Sequence, residues 1–123
     1  MRKAISITFM SGPLDGKTLS WEVPHDGSEL TITIGRNHGL HVSIGYDQQV
    51  SRTHAQLIYE PNADRFFLVD KKSRNRTFVG LREEVLEAER RFEIAPDTLF
   101  RVGRTWLRLD GDGSSAETAD ADD

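Results

Sequence analysis

Ala55-Gln56-Leu57-Ile58-Tyr59-Glu60, Pro61-Asn62-Ala63-Asp64 and Arg65-Phe66-Phe67-Leu68-Val69-Asp70 form one continuous stretch whose reading decides the fold. Two runs rich in aliphatic and aromatic side chains flank four turn-favouring residues, which predicts a β-hairpin. Period-two patterning continues outward in both directions. Upstream, Leu30–Ile34 alternates and stops at Gly35, and His41–Ile44 is a short candidate strand. Lys17–Val23 places Leu19, Trp21 and Val23 on one face, and Ala4–Met10 does the same with Ile5, Ile7 and Phe9. Downstream, Thr77–Val79, Glu89–Ile94, Thr98–Val102 and Thr105–Asp110 complete the set, the last two split by Gly103-Arg104. Ser11–Gly16 and Pro24–Glu29 are dense in turn residues. The one candidate helix, Glu83–Glu93, has adjacent Val85 and Leu86 and then nothing apolar on that face, so it reads as loop and strand. Many short strands with frequent turns predict an all-β sandwich or barrel.

The chain has 123 residues, the size of one domain. No run approaches the roughly 18 apolar residues of a membrane span, and the start of the chain alternates like a strand instead of forming a signal-peptide core. With no cysteine, disulfides and thiolate metal sites are excluded, and a cytoplasmic location is the expectation. The net charge of −4 is unevenly spread. Residues 110–123 hold Asp110, Asp112, Glu117, Asp120, Asp122 and Asp123 and no base, which leaves 16 basic against 14 acidic residues before them. The expected organisation is a folded domain at 1–110 and a disordered acidic tail at 111–123, because Gly111–Asp123 lacks any large apolar side chain.

Three polar segments fall between the strands: Gly35-Arg36, Ser51-Arg52-Thr53-His54 and Ser73-Arg74-Asn75-Arg76-Thr77-Phe78. If these turns meet at one end of the sandwich, two guanidiniums, a hydroxyl and an amide converge. Arg36 offers a planar fork of donors to phosphate oxygens, in bonds about twice as strong as neutral ones. Ser51 can donate a hydroxyl and Arg52 a second positive charge. Asn75 carries both donor and acceptor and suits an extended peptide main chain. Lys71, Lys72, Arg74 and Arg76 lie within six positions and raise the local anion concentration.

The order Gly-Arg, Ser-Arg-x-His, Ser-x-Asn-x-Thr-Phe resembles the forkhead-associated (FHA) domain, over residues from about 3 to 110. The resemblance implies a β-sandwich of about eleven strands whose loops bind phosphothreonine peptides, a recognition module and not an enzyme. It implies Arg36 and Ser51 as main phosphate ligands, Arg52 as a secondary contact, and Asn75 as the holder of the peptide backbone, flanked by Arg74 and Thr53. Gly35 and His54 become loop-structural residues. The implied partner is a phosphothreonine-containing protein that is a Ser/Thr kinase or its substrate, with threonine preferred over serine. No cofactor or metal is implied. The alternative is a phosphate-independent assembly module with a degenerate domain of the same fold. Two positions depart from the family pattern. Arg76 stands where the family usually has Gly, so the turn either has another shape or carries strain. Val79 leads directly to Gly80-Leu81, so a second family Asn, a peptide contact, is missing.

Other readings are weaker. His54, three residues after Ser51, could serve as a general base, but no acid stands in an orienting position and no oxyanion hole is suggested. Gly12-Pro13-Leu14-Asp15-Gly16-Lys17-Thr18 is one residue short of a nucleotide-binding loop and precedes a strand, so a hairpin turn is expected. His38 and His41 lack the further ligands of a metal site. Trp21, Trp106, Phe66 and Phe67 mostly fall on expected core faces, and the basic excess is too small for nucleic acid. Ser114, Ser115 and Thr118 lie in the tail, and a phosphorylated Thr118 would be a self-ligand, in the same chain or a neighbouring copy.

Overall fold

The computed structural model describes residues 2–111, and these form eleven strands and no helix. The strands are β1 (Ala4–Phe9), β2 (Thr18–Glu22), β3 (Leu30–Gly35), β4 (Val42–Ser43), β5 (Ala55–Glu60) and β6 (Arg65–Asp70). They continue as β7 (Thr77–Val79), β8 (Glu84–Val85), β9 (Phe92–Ile94), β10 (Leu99–Val102) and β11 (Thr105–Leu109). One sheet has the order β2-β1-β11-β10-β7-β8 and the other β4-β3-β5-β6-β9. All pairings are antiparallel except β3 with β4. Eleven strands in two sheets make the β-sandwich that the resemblance implied. Among the described residues no helix is long and apolar enough to cross a membrane.

Alternation builds the core. Ile5, Ile7 and Phe9 of β1, Ile32 and Ile34 of β3, Leu57 and Tyr59 of β5, and Leu107 and Leu109 of β11 all turn inward and are buried. Fully burying one such aliphatic or Phe side chain contributes about 1.5–3 kcal/mol. The β5–β6 hairpin has the bounds its sequence predicts, with Ala55 opposite Asp70 and Glu60 opposite Arg65. The stretch resembling a nucleotide loop is the β1–β2 hairpin turn, where Asp15 N–H donates to the Gly12 carbonyl at 3.1 Å. Of the four aromatics, Phe66 is core and Trp21 packs against it. Trp106 and Phe67 instead face outward, beneath Arg101 (5.9 Å) and Arg91 (5.5 Å).

The region Glu83–Glu93 is loop and strand, as its thin apolar stripe indicates. The strand expected at Glu89–Ile94 begins only at Phe92. Glu89 has a left-handed φ of 65° and its N–H donates to the Asp70 carbonyl, so the chain cannot extend there. Leu86, 2% exposed, plugs the core just before. The expected disordered tail with Ser114, Ser115 and Thr118 lies, beyond Gly111, outside the described residues.

The site is positioned by a change of sheet. Strand β6 ends in one sheet and β7 begins in the other, so residues 71–76 cross from layer to layer at one end of the sandwich. The β3–β4 and β4–β5 connections and the Gly103-Arg104 turn open at the same end.

Candidate functional site

The loop after β3 meets the loop before β5 backbone to backbone. Arg36 N–H donates to the Ser51 carbonyl at 2.9 Å, and Asn37 N–H to the Arg52 carbonyl at 3.2 Å. Gly35 makes that approach possible. A Cβ on it would lie 2.2 Å from the Arg52 carbonyl oxygen and 2.9 Å from Leu40 Cδ1, so no side chain fits. The Arg36 guanidinium lies over the same loop, with Nε donating to the Val50 carbonyl at 2.9 Å. That bond fixes the fork and leaves its two terminal nitrogens without a partner among the described residues.

Ser51 bridges to the third loop. Its Oγ accepts the Arg74 N–H at 2.9 Å, which occupies a lone pair and leaves the hydroxyl proton free to donate. Asn75 Nδ2 donates to the Gln49 carbonyl at 2.9 Å, so one amide proton and the amide oxygen remain available. Arg52, Thr53, Arg74, Asn75 and Arg76 are exposed around this point. All three segments singled out in the sequence are thus in direct hydrogen-bonded contact.

His54 ties the loops from beneath. It is fully buried. Nδ1 accepts the Ser51 N–H at 3.0 Å and Nε2–H donates to the Arg76 carbonyl at 2.8 Å. The two backbone partners set the tautomer. Burial holds its pKa below the ordinary value, against the pull of the Arg76 carbonyl and of the Asp70 and Asp47 charges. A neutral ring is what the Ser51 N–H needs as acceptor. With both nitrogens occupied, this imidazole has no free position from which to deprotonate Ser51.

Two carboxylates that the sequence reading passed over hold the loops in shape. Asp70, 1% exposed, accepts the Ser73 N–H at 3.1 Å, the Ser73 hydroxyl, and the Thr77 hydroxyl at 2.7 Å. Asp47 accepts the Gln49 N–H at 2.9 Å, the Arg104 N–H at 2.8 Å and the Thr105 hydroxyl at 2.7 Å. Burial alone would raise the Asp47 pKa, but these bonds and the Arg104 charge outweigh it and hold it below the ordinary value. The available signal was local turn chemistry, an Asp three residues before Ser73 and another two before Gln49.

Arg76 resolves the alternative left by its sequence position. Its φ is 71°, so the turn keeps the glycine-like shape and carries a side chain there. That conformation costs about 1–2 kcal/mol in a non-Gly residue. Beside the loops an open groove of about 410 Å³ runs between Gly12, Pro13, Tyr46, Gln48, Gln49 and Arg104. His41 is engaged elsewhere. Its Nδ1 lies 3.0 Å from the Thr33 amide nitrogen, whose N–H it accepts, and its ring meets Trp21 edge-on at 5.9 Å.

Comparison with known proteins gives one consistent result. The sequence profile of the FHA domain matches residues 32–103, a span that contains all three loop segments. Solved FHA domains superpose well. One from an Arabidopsis thaliana hypothetical protein has a TM-score of 0.73 at 22% identity, covering 89% of this chain and 86% of that one. The kinase-interacting FHA domain of the Arabidopsis kinase-associated protein phosphatase has 0.71 at 22%, covering 87% and 92%. The N-terminal FHA domain of Rad53p from S. cerevisiae, solved with a phosphothreonine peptide, has 0.71 at 15%, covering 87% and 94%. No curated protein sequence matches. With more than half of its length matched by that profile, and with the sandwich and loop order that go with it, this chain belongs to the FHA domain family.

Proposed function

We propose that this chain is a phosphothreonine-recognition module, residues 1–110 forming the recognition domain, which acts in the cytoplasm downstream of a Ser/Thr kinase. The observation that carries this reading is the junction of Arg36 and Ser51. A guanidinium pinned through Nε and a hydroxyl already satisfied as acceptor keep unspent donors on two loops that are bonded to each other. Such donors suit a phosphate carrying about two negative charges. Arg52 adds charge beside them. Asn75, with an amide oxygen and one proton left, takes the peptide main chain, and Arg74 and Thr53 flank it. The Rad53p domain of the same fold was solved with a phosphothreonine peptide. In this reading the chain binds without turning anything over, and Gly35 and His54 shape the loops.

The test compares one peptide with and without its phosphate, against wild type and Arg36→Ala. Loss of the charge-assisted contact costs about 1.5–3 kcal/mol, so Arg36→Ala should weaken phosphopeptide binding tenfold or more. Equal binding of both peptides, or of both proteins, would favour the phosphate-independent assembly module instead. As a finer part of this reading, phosphorylated Thr118 competes for the site in the same chain or a neighbouring copy, since a tether supplies millimolar effective concentration. Phosphorylating Thr118 should then lower affinity for an outside phosphopeptide. Unchanged affinity without self-association removes this part.

A further inference from the structure

Of the twelve arginines, Arg2, Arg65, Arg90, Arg91, Arg101 and Arg108 each pair with a carboxylate. The other six, Arg82 and Arg104 among them, pair with none among the described residues. Four of these six, Arg36, Arg52, Arg74 and Arg76, gather at the loop end. One phosphate of about two negative charges balances Arg36 and one neighbour. It leaves the rest uncompensated.

Arg76 has a left-handed backbone, and its carbonyl is bonded to the imidazole that also holds the Ser51 N–H. Of the other non-glycine residues with left-handed φ, Glu83, Glu89 and Asp64 each carry an intramolecular ion pair, with Arg101, Lys71 and Arg2, whereas Lys72 and Asp97 carry none among the described residues. Arg76 has the same unfavourable backbone, at φ 71°, and no such partner among the described residues. A residue held in a sparsely populated conformation at a binding surface points toward a use for its side chain.

Resting on the phosphothreonine reading above, we propose that the preferred ligand carries a second anionic group close to the phosphothreonine, and that Arg76 reads it. The geometry sets the spacing. The Arg76 carbonyl and the Ser51 N–H bond opposite nitrogens of one imidazole, at 2.8 and 3.0 Å. The Arg76 backbone therefore stands within the width of that ring, plus two hydrogen bonds, from the residue that meets the phosphate. An extended peptide advances about 3.3 Å per residue, so a second anion one to three positions away falls within the reach of an arginine side chain. A phosphoserine or an acidic side chain would supply the charge.

Binding of the full chain to a peptide set tests this. The parent peptide has one phosphothreonine and neutral flanks. Variants place phosphoserine, or aspartate, at each position within three residues on either side. At the best position, phosphoserine should tighten wild-type binding about tenfold, as one added charge-assisted contact would, and aspartate by less. The gain should shrink with added salt. Arg76→Gly should lose the gain and keep the parent affinity. It removes the left-handed strain, so a melting temperature at or above wild type confirms an intact fold. A gain with phosphoserine alone identifies a doubly phosphorylated ligand, and a gain with both identifies an acidic one. The inference is overturned if no position gives a gain, or if Arg76→Gly retains it, while the parent peptide still binds in an Arg36-dependent way. If wild type binds no phosphothreonine peptide, or Arg36→Ala binds as wild type does, the underlying reading falls and takes this one with it.

Discussion

The two ends of strand β6 use their charges in opposite ways. At its start, the β5–β6 turn consumes them internally. Asp64 takes the Tyr59 hydroxyl at 2.7 Å and Arg2 Nε at 3.2 Å, and its own left-handed backbone is held by those contacts. At its end, the β6–β7 loop is held by groups from beneath, Asp70 and His54, while its guanidiniums project without carboxylate partners among the described residues. The first arrangement stabilises. The second keeps the backbone fixed while leaving the guanidiniums uncommitted, as the proposed recognition surface would require. The two ends thus differ in charge compensation: Asp64 is paired at one, and Arg74 and Arg76 have no carboxylate partner among the described residues at the other.

Several changes would break or sharpen that contrast. Asp70→Ala removes the acceptor for the Ser73 N–H and for two hydroxyls in a buried place. We expect a loss of about 3–5 kcal/mol in unfolding free energy, together with loss of phosphopeptide binding. A urea-unfolding midpoint close to wild type would mean that the loop is not held from beneath. Asp64→Ala, at the other end, should cost about 1–2 kcal/mol because the buried Tyr59 hydroxyl loses its carboxylate. Phosphopeptide affinity should stay unchanged there, and a coupled loss of affinity would erase the distinction between the ends.

Acidification probes the same difference without mutation. The His54 pKa is lowered in the folded state, so below the ordinary value of 6.5 the unfolded chain binds a proton that the folded one resists. Stability should therefore be intact above about pH 6.5 and fall as pH drops, until the folded-state ring itself titrates. Melting curves at pH 7.5 and 5.5 for wild type and a His54→Gln variant would check this, and an equal fall in both would dissociate the effect from His54. The smallest effect belongs to Arg76→Gly, which should raise stability by about 1 kcal/mol through relief of the left-handed side chain. A rise in melting temperature of a few degrees is expected, and a fall would show that the Arg76 side chain stabilises the free fold.

How much of this was legible in the sequence follows from range. The β5–β6 hairpin was readable to the residue because its strands and turn are local and strongly patterned. Strand β8 was not, because two edge residues, Glu84 and Val85, carry no period. The joining of β1 to β11, and the parallel pairing of β3 with β4, depend on contacts between strands that no local pattern encodes. The same holds at the candidate site. Arg36, Ser51 and Asn75 were visible as residue types in an order, and Gly35 as a breaker. The supporting carboxylates Asp47 and Asp70 left only a local turn signal, and the bonds of Asp47 to Arg104 and Thr105 form only when another loop arrives. Sequence alone also left two shapes for the turn at Arg76, since a backbone angle is set by what holds it, here a buried imidazole on its carbonyl.

The pairing of β1 with β11, in which Ile7 faces Leu109, has a practical consequence. The first and last strands both point their free ends away from the loops that carry Arg36 and Ser51. A fusion partner, an affinity handle or a sensor surface joined just before β1 or just after β11 would start from the end opposite those loops. The domain behaves like a plug whose cable leaves from the back, joinable to other machinery with no redesign of its contacts.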